Sequence, residues 1–327
     1  MVQYFIRRVV FAVLLLMLAS VTSFLIIQLP PGNYLTSYIA QLRASGQEID
    51  EARIKGLERQ YGLDQPVYVQ YWRWISGMPR GDFGFSFAEN RPVRALIGER
   101  LGYSVMISLL GLIVSYGLAI PIGIYSATHQ YSFADYFFTF LGFIGLAVPG
   151  FLLALVVVFL AFKYLGLNPG GLYSPQYLAE PWSWAKFKDL LAHLPLPVLI
   201  VGLAGTAGSI RVMRATLLDE LRKPYVLTAR AKGLPEWRLL LKYPVRFALN
   251  PMASSIFYIF PAIVSGETLT GIVLNLPTIG PLLLNALLQQ DMYLAGSLIM
   301  FLTFMTVIGM FVSELLLAWL DPRIRYE

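Results

Sequence analysis

Cysteine is absent from the 327 residues, and histidine nearly so, with only His129 and His193. The first absence excludes disulfides, thiolate chemistry and Cys-ligated metals. Neither histidine has neighbours at metal-ligand spacing, so no metal is expected. Charge is scarce as well: 13% of residues are Asp, Glu, Lys or Arg, against roughly 25% in a soluble domain. No Gly-x-x-x-x-Gly-Lys-Ser/Thr occurs, which excludes ATP binding through a phosphate loop. There is no nucleophile elbow and no zinc-protease helix either. No catalytic constellation remains, and a non-enzymatic chain without a cofactor of its own is expected.

What is present is apolar surface. Hydrophobic residues make up 57% of the chain and the mean hydropathy is +0.63, well outside the soluble range and characteristic of a polytopic membrane protein. The formal charge of +6 is therefore read loop by loop as a determinant of membrane orientation, not as a nucleic-acid footprint.

Arg7 and Arg8 precede an apolar run from Val9 to Leu29. A secretory leader has an apolar core of only ~7–15 residues. This run is about twenty residues long, enough to span, and favours an uncleaved first helix (1–29) with a cytoplasmic N-terminus. The segment 30–101 is the longest hydrophilic stretch, with nine Lys/Arg against eight Asp/Glu. Within it Glu48–Tyr61 has helical periodicity, Tyr68, Tyr71, Trp72 and Trp74 suit a membrane–water boundary, and 81–87 forms a glycine-flanked aromatic loop. Asp82, Phe83 and Phe85 of that loop belong either to a folded external loop or to a cap that touches an incoming solute. The core, 102–327, supplies five further spans: Gly102–Ala127, Tyr136–Leu165 kinked at Pro149-Gly150, Pro195–Val212, Pro251–Leu274 and Tyr293–Trp319. Six spans return the C-terminus to the cytoplasm. The loop from Arg211 to Arg246 carries nine Lys/Arg and three acids, and the positive-inside rule puts it on the same side.

Two features stand out against this apolar background. Leu221–Pro251 is a polar island with two short amphipathic helices, Tyr225–Lys232 and Pro235–Tyr243. Gly233 stops the first, Pro235 opens the second and Pro244 ends it. The second helix is expected to gather Trp237, Leu240 and Leu241 on one side, with Arg238 and Lys242 turned away. The island, with coupling-loop bounds 214–250, reads as a platform for a protein partner. Asp135, Lys163 and Arg211 lie at span ends, where they reach water, whereas Glu267 and Glu314 lie inside. Glu314 reads as an inter-helix or inter-subunit polar contact. Glu267, Thr268 and Thr270 sit in a patch polar enough either to line a passage or to serve structural hydrogen bonds. Broken backbone around Pro277 and Gly280 is tolerated at membrane depth only where it lines a cavity or is buried in protein, so it marks a candidate gate, with a simple tight turn as the other reading.

The sequence Thr228-Ala229-Arg230-Ala231-Lys232-Gly233-Leu234, ahead of a basic helix, resembles the cytoplasmic loop of binding-protein-dependent ABC import permeases, in particular the dipeptide/oligopeptide/nickel group. Tyr61-Gly62-Leu63-Asp64-Gln65-Pro66, Gly81-Asp82-Phe83-Gly84, Arg91-Pro92-Val93, Pro121-Ile122-Gly123-Ile124, Gly266-Glu267-Thr268, Pro277-Thr278-Ile279-Gly280 and Leu320-Asp321-Pro322-Arg323-Ile324-Arg325 extend the likeness over nearly the whole chain. The resemblance implies a type I importer fold in the bacterial or archaeal plasma membrane (the inner membrane where there are two), and a pore-forming subunit paired with a homologous second permease. Two ATP-binding subunits would hold ATP and Mg, and an extracytoplasmic solute-binding protein would deliver cargo. Coupling to the ATPase would fall to Tyr225, Thr228, Ala229, Arg230, Lys232, Gly233, Leu234 and Trp237. Two departures are notable. Leu227 stands where the wider family has a glutamate, and Thr278 where relatives more often have glycine. Peptide, oligosaccharide, opine or nickel-chelate cargo all fit the group. An ion-coupled secondary transporter, or a scaffold subunit of another membrane complex, is the competing class.

Overall fold

A computed structural model describes residues 2–29, 32, 34–44, 54–56, 58–59, 62–166, 169–258 and 267–320. Most of the helical reading for Glu48–Tyr61, the middle of the expected fifth span, and Asp321–Arg325 lie outside the described residues. The chain divides into two compact units, one of residues 1–102 and 278–305, the other of residues 103–277 and 306–327.

In the first unit, α1 (Val2–Gln28) is roughly 40 Å long at 1.5 Å per residue, more than the ~30 Å hydrocarbon layer. After α2 (Tyr34–Ala44) comes α3 (Val67–Gly77), which Pro66 initiates. One face of α3 buries Gln70 and Trp74, four residues apart, while Tyr68 and Trp72 stay exposed. Trp74 stacks on Phe24 of α1 with ring centres 5.8 Å apart, and Tyr71 meets the same ring edge-on. A two-stranded antiparallel hairpin follows, β1 (Phe85–Ser86) against β2 (Arg91–Pro92), with Phe85 opposite Pro92. The hairpin is anchored on Asp291, just before the last helix. One carboxylate oxygen of Asp291 accepts from the Ser86 hydroxyl (2.6 Å) and the Ala88 amide (3.0 Å), the other from the Leu294 amide (3.2 Å). Burial pushes this carboxyl up in spite of those donors.

The second unit takes most of α4 (Val93–Thr128), then α5 (Phe133–Ala147) and α6 (Gly150–Leu160). Val148 is held extended before Pro149, which cannot continue a helix. The pair Phe133–Ala147 and Gly150–Tyr164 is accordingly bent by 96°. The kink expected from sequence is thus a break. Next come α7 (Trp184–His193) and α8 (Pro195–Leu221), which runs well past the expected end at Val212. Four short helices follow: α9 (Pro224–Ala231), α10 (Glu236–Lys242), α11 (Pro244–Ala248) and α12 (Asn250–Ser254). Beyond the undescribed stretch lies α13 (Glu267–Val273). In the first unit again is α14 (Ile279–Leu288), and α15 (Met292–Leu320) contributes to both units. Met213 and Leu217 of α8 are buried against Ala119 and Ala127 of α4 and Val245, Ala248 and Met252 of the short helices.

Among the described residues four helical segments are long and apolar enough to cross a membrane, at Ile6–Gln28, Val93–Thr128, Trp184–Leu221 (α7 and α8 taken together) and Met292–Leu320. The bent pair makes five if it counts as one span.

Candidate functional site

The polar island folds into an elbow. Lys223 is extended and Pro224 takes the first helical position of α9, where a missing N–H costs nothing. Gly233 has φ +76°, the left-handed conformation that terminates helices. Its amide donates to Arg230 O (2.9 Å), and the Leu234 amide reaches back to Ala229 O (3.4 Å). Pro235 then caps α10 in an extended conformation. Val226, Ala229 and Leu239 form a small buried core between the helices, covered by Tyr225, Leu234 and Tyr243. The elbow thus has an interior of its own, which a flexible tether would lack.

Polar contacts brace it from both sides. The Arg230 guanidinium donates to both oxygens of Glu236, at 2.6 and 3.2 Å, closing the angle across Gly233. This contact holds the Glu236 carboxyl below the usual carboxylate range. The Tyr225 hydroxyl donates to Glu220 at the end of α8. Arg246 of α11 donates to Leu320 O and Trp319 O, both at 2.6 Å. A cation placed on carbonyls at a helix C-terminus is favourable for the helix dipole and for the unpaired acceptors. A cavity of about 390 Å³ bordered by Tyr225, Thr228, Ala229, Lys232 and Leu234 opens beside these contacts.

The face of α10 differs from the expectation. Leu239 is the buried side chain, while Trp237 and Leu241 remain 61% and 59% exposed. Arg238 is not turned away but lies over the Trp237 ring, 4.9 Å from its centre. Leu227, in the place of the family's glutamate, is also exposed, at 55%. The elbow therefore presents apolar side chains outward from a segment rich in cations.

The remaining sequence-singled residues are dispersed. Glu267 is the first residue of α13. Thr268 and Thr270 are buried, and a Cβ on Gly150 of α6 would lie 3.5 Å from Thr270 Oγ1. Asn275 has φ +49°, and its neighbour Leu276 donates to Gly271 O at 2.8 Å, making a tight turn before Pro277. Pro277 belongs to the second unit and Gly280, buried in α14, to the first. Asp82 accepts from the Gly84 amide (3.0 Å), Phe83 O accepts from the Ser297 hydroxyl (3.0 Å), and Phe85 opens β1 half-exposed.

One pair escaped the sequence reading. Asp135, 3% exposed at the start of α5, accepts two hydrogen bonds from Arg214 of α8, at 3.0 and 2.9 Å, and a third from the Tyr131 amide. A carboxylate in an otherwise apolar helix demands a cation, which was the available signal. The sequence reading places Asp135 and Arg211 at span ends reaching water; Asp135 is instead buried, and Arg211 lies over the Phe143 ring. Among the described residues no group of three His, Cys, Asp or Glu could hold a metal.

Long apolar helices and a braced polar elbow define a polytopic membrane protein. Comparison with known proteins is specific. The chain belongs to the family of binding-protein-dependent transport system inner membrane components, whose model matches residues 119–326, with the family's N-terminal model matching residues 1–109. It is 32% identical to the oligopeptide transport system permease protein AppB of Bacillus subtilis (strain 168) over 327 residues, all of both chains. A putative peptide permease protein of Brucella ovis is 32% identical over 99% of each chain, and the oligopeptide transport system permease protein OppB of Haemophilus influenzae 29% over the whole of each. The chain is thus an ABC importer permease and a multi-pass inner membrane protein.

Proposed function

We propose that this chain is the pore-forming permease subunit of an ATP-driven peptide importer, and that the elbow at Gly233 is where a separate ATPase subunit docks. In this reading six spans, with both termini and the elbow cytoplasmic, pair with a homologous second permease. Two ATP-binding subunits carry ATP and Mg, and a solute-binding protein delivers peptides to the extracytoplasmic segment 30–101. The domains are then a first helix at 1–29, that segment, and a core at 102–327 with its coupling loop at 214–250. Peptide cargo is favoured by the names of the three relatives above.

The observation that carries the docking reading is the elbow's combination of a closed interior and an apolar exterior. Val226 and Leu239 are fully buried within it, while Leu227, Trp237 and Leu241 face outward. Large apolar side chains left outside a packed polar element mark a contact surface. Coupling is then a two-state problem: closure of the ATPase pair moves a stiff elbow, and the helices follow between inward- and outward-open arrangements. Leu227, Thr228, Lys232, Trp237 and Leu241 form the contact, Tyr225, Ala229 and Leu234 pack the interior behind it, Gly233 makes the turn and Arg230 sets the elbow's angle. Glu267, Thr268, Thr270, Pro277 and Gly280 line or hinge the pathway.

Co-purification tests this. Wild-type chain should bring down its ATPase subunits from detergent extracts, and the double variant Trp237→Asp, Leu241→Asp should lose them while still inserting into membranes. Full retention by that variant, or no ATPase with the wild type, overturns the reading.

A further inference from the structure

The first unit contains two cavities that share Phe87 as a common wall. One, of about 350 Å³, is lined by Trp74, Phe85, Phe87 and Tyr293, with Arg73 and Asp82 at its border. The other, of about 290 Å³, is bordered by Phe87, Tyr34 and the amides of Gln28, Gln65, Gln70 and Gln290, with no charged residue. Both are near the ~300 Å³ lower limit of small-ligand sites.

The charged cavity is a built one. Gly84 has φ +82°, and a Cβ there would come within 3.0 Å of the Tyr293 ring. Glycine at this point lets the hairpin approach Tyr293 closely, and Phe87 meets that ring edge-on at 5.3 Å. Among the described residues neither border charge is fully consumed. Among the described residues the Arg73 guanidinium makes no hydrogen bond or ion pair, and Asp82 uses one carboxylate oxygen, on the Gly84 amide. Among the described residues the aromatic pocket therefore has at its border a cation with no ion-pair partner and a carboxylate with one oxygen to spare.

The neutral cavity offers peptide-like groups. Gln28 donates to Met292 Sδ at 3.0 Å and to Gln70 Oε1 at 3.4 Å, and Gln70 donates to Gln65 O at 2.8 Å. That leaves the Gln28 carbonyl and the Gln290 NH₂ without partners among the described residues. Gln290 is itself held at φ +56°, a left-handed backbone uncommon outside glycine and asparagine and one that tends to mark functional positions. A carbonyl and an NH₂ present the acceptor and donor that a peptide unit needs.

We propose that the charged cavity, with the neutral one on the other side of Phe87, binds a short peptide with both ends free. Its ammonium would face Asp82 and its carboxylate Arg73, both at the charged cavity, with one side chain against the aromatic wall and room for a second to reach past Phe87 toward the glutamine amides. The charge pair selects this ligand over a mid-chain loop of a delivery protein, which has no free ends, and over a neutral sugar. The proposal rests on the reading of the chain as a peptide importer and adds a peptide site on the permease itself.

Photolabelling tests it without ATP. The assembled transporter, in lipid nanodiscs and with p-benzoylphenylalanine in place of Phe85, is irradiated with a tritiated alanyl-phenylalanyl-alanine tripeptide. Labelling of this chain is expected, falling about tenfold when the peptide is N-acetylated or C-amidated, the size of effect that losing a charged partner gives. Arg73→Gln should abolish the distinction between acid and amide, and Asp82→Asn that between amine and acetamide. Equal labelling by free and doubly blocked peptides overturns the proposal, as does crosslinking to the solute-binding protein in place of the peptide. Uptake by vesicles separates the two readings. Vesicles that import the tripeptide without labelling overturn this proposal alone; vesicles that do neither overturn the importer reading and this proposal with it.

Discussion

Arg230 and Glu236 grip each other across the left-handed Gly233, the guanidinium donating to both carboxylate oxygens. The pair joins the last turn of α9 to the first residue of α10, so it sets the angle at which the elbow is presented. Its side chains are 48% and 57% exposed, and surface pairs of this kind add little to global stability. The effect to look for is local.

A pH dependence follows. Arg230 holds the Glu236 carboxyl below its ordinary range. A depressed acid contributes above its unfolded value, and the contribution is lost as pH falls through the lowered one. Spin-label distances between α9 and α10 should be constant through neutral pH and broaden only below about 4, the ordinary glutamate range. Glu236→Gln should show the broadened distribution at every pH. Identical distributions for wild type and Glu236→Gln at neutral pH would remove the pair from the elbow's stiffness.

Gly233 separates a steric requirement from a conformational one. A Cβ there would meet nothing within 4 Å, yet φ is +76°. Gly233→Ala should therefore cost only the strain of a left-handed residue, about 1–2 kcal/mol, and leave transport nearly intact. Gly233→Pro requires φ near −65° and should insert normally while uncoupling uptake from ATP hydrolysis. Normal uptake by Gly233→Pro in reconstituted vesicles would overturn the elbow as a coupling element.

The elbow's outline was legible because Gly233, Pro235 and Pro244 act through local backbone rules that need no tertiary partner. The long helices were legible for a similar reason: length and apolarity alone qualify Ile6–Gln28 to span. The buried face of α10 was not. Leu239, Leu240 and Leu241 are consecutive, so they sweep about 200° of a helix, and seven residues carry too little periodicity to choose among them. Asp135 with Arg214, or Asp291 with Ser86, could not be paired from sequence, since the partners are 79 and 205 residues apart. At Pro149 the sequence marked a kink but not a break of 96°, which depends on what α5 and α6 pack against.

The Asp135–Arg214 pair should be costly to break and cheap to replace. Arg214→Met strands a carboxylate whose side chain is only 4% exposed, and breaking a buried pair costs about 3–5 kcal/mol. Arg214 is 31% exposed, so water relieves part of this and the lower end is expected. Asp135→Leu combined with Arg214→Met removes both charges and should restore most of the loss. Thermal unfolding in detergent reads the difference; a double variant as unstable as the single one would show that packing, not charge, is what the pair supplies.

Ser297 supports the last prediction. It is fully buried on α15, accepts from the Trp74 indole N–H at 3.0 Å and donates to Phe83 O at 3.0 Å. One hydroxyl, with a single proton and two lone pairs, thus satisfies a donor on α3 and an acceptor in the glycine-flanked loop. Ser297→Ala leaves both groups without their partner, and a buried polar group in that state costs about 1–3 kcal/mol. Trp74→Phe in wild-type background also loses the aromatic area stacked on Phe24. In the Ser297→Ala background the same substitution relieves the stranded indole N–H, so its cost should be smaller. Residues in direct contact show coupling of about 0.5–3 kcal/mol in such cycles. Unfolding midpoints of the four proteins measure it. Strict additivity would mean the indole N–H finds water when Ser297 is gone, and that the loop is held by its own hairpin and Asp291 instead.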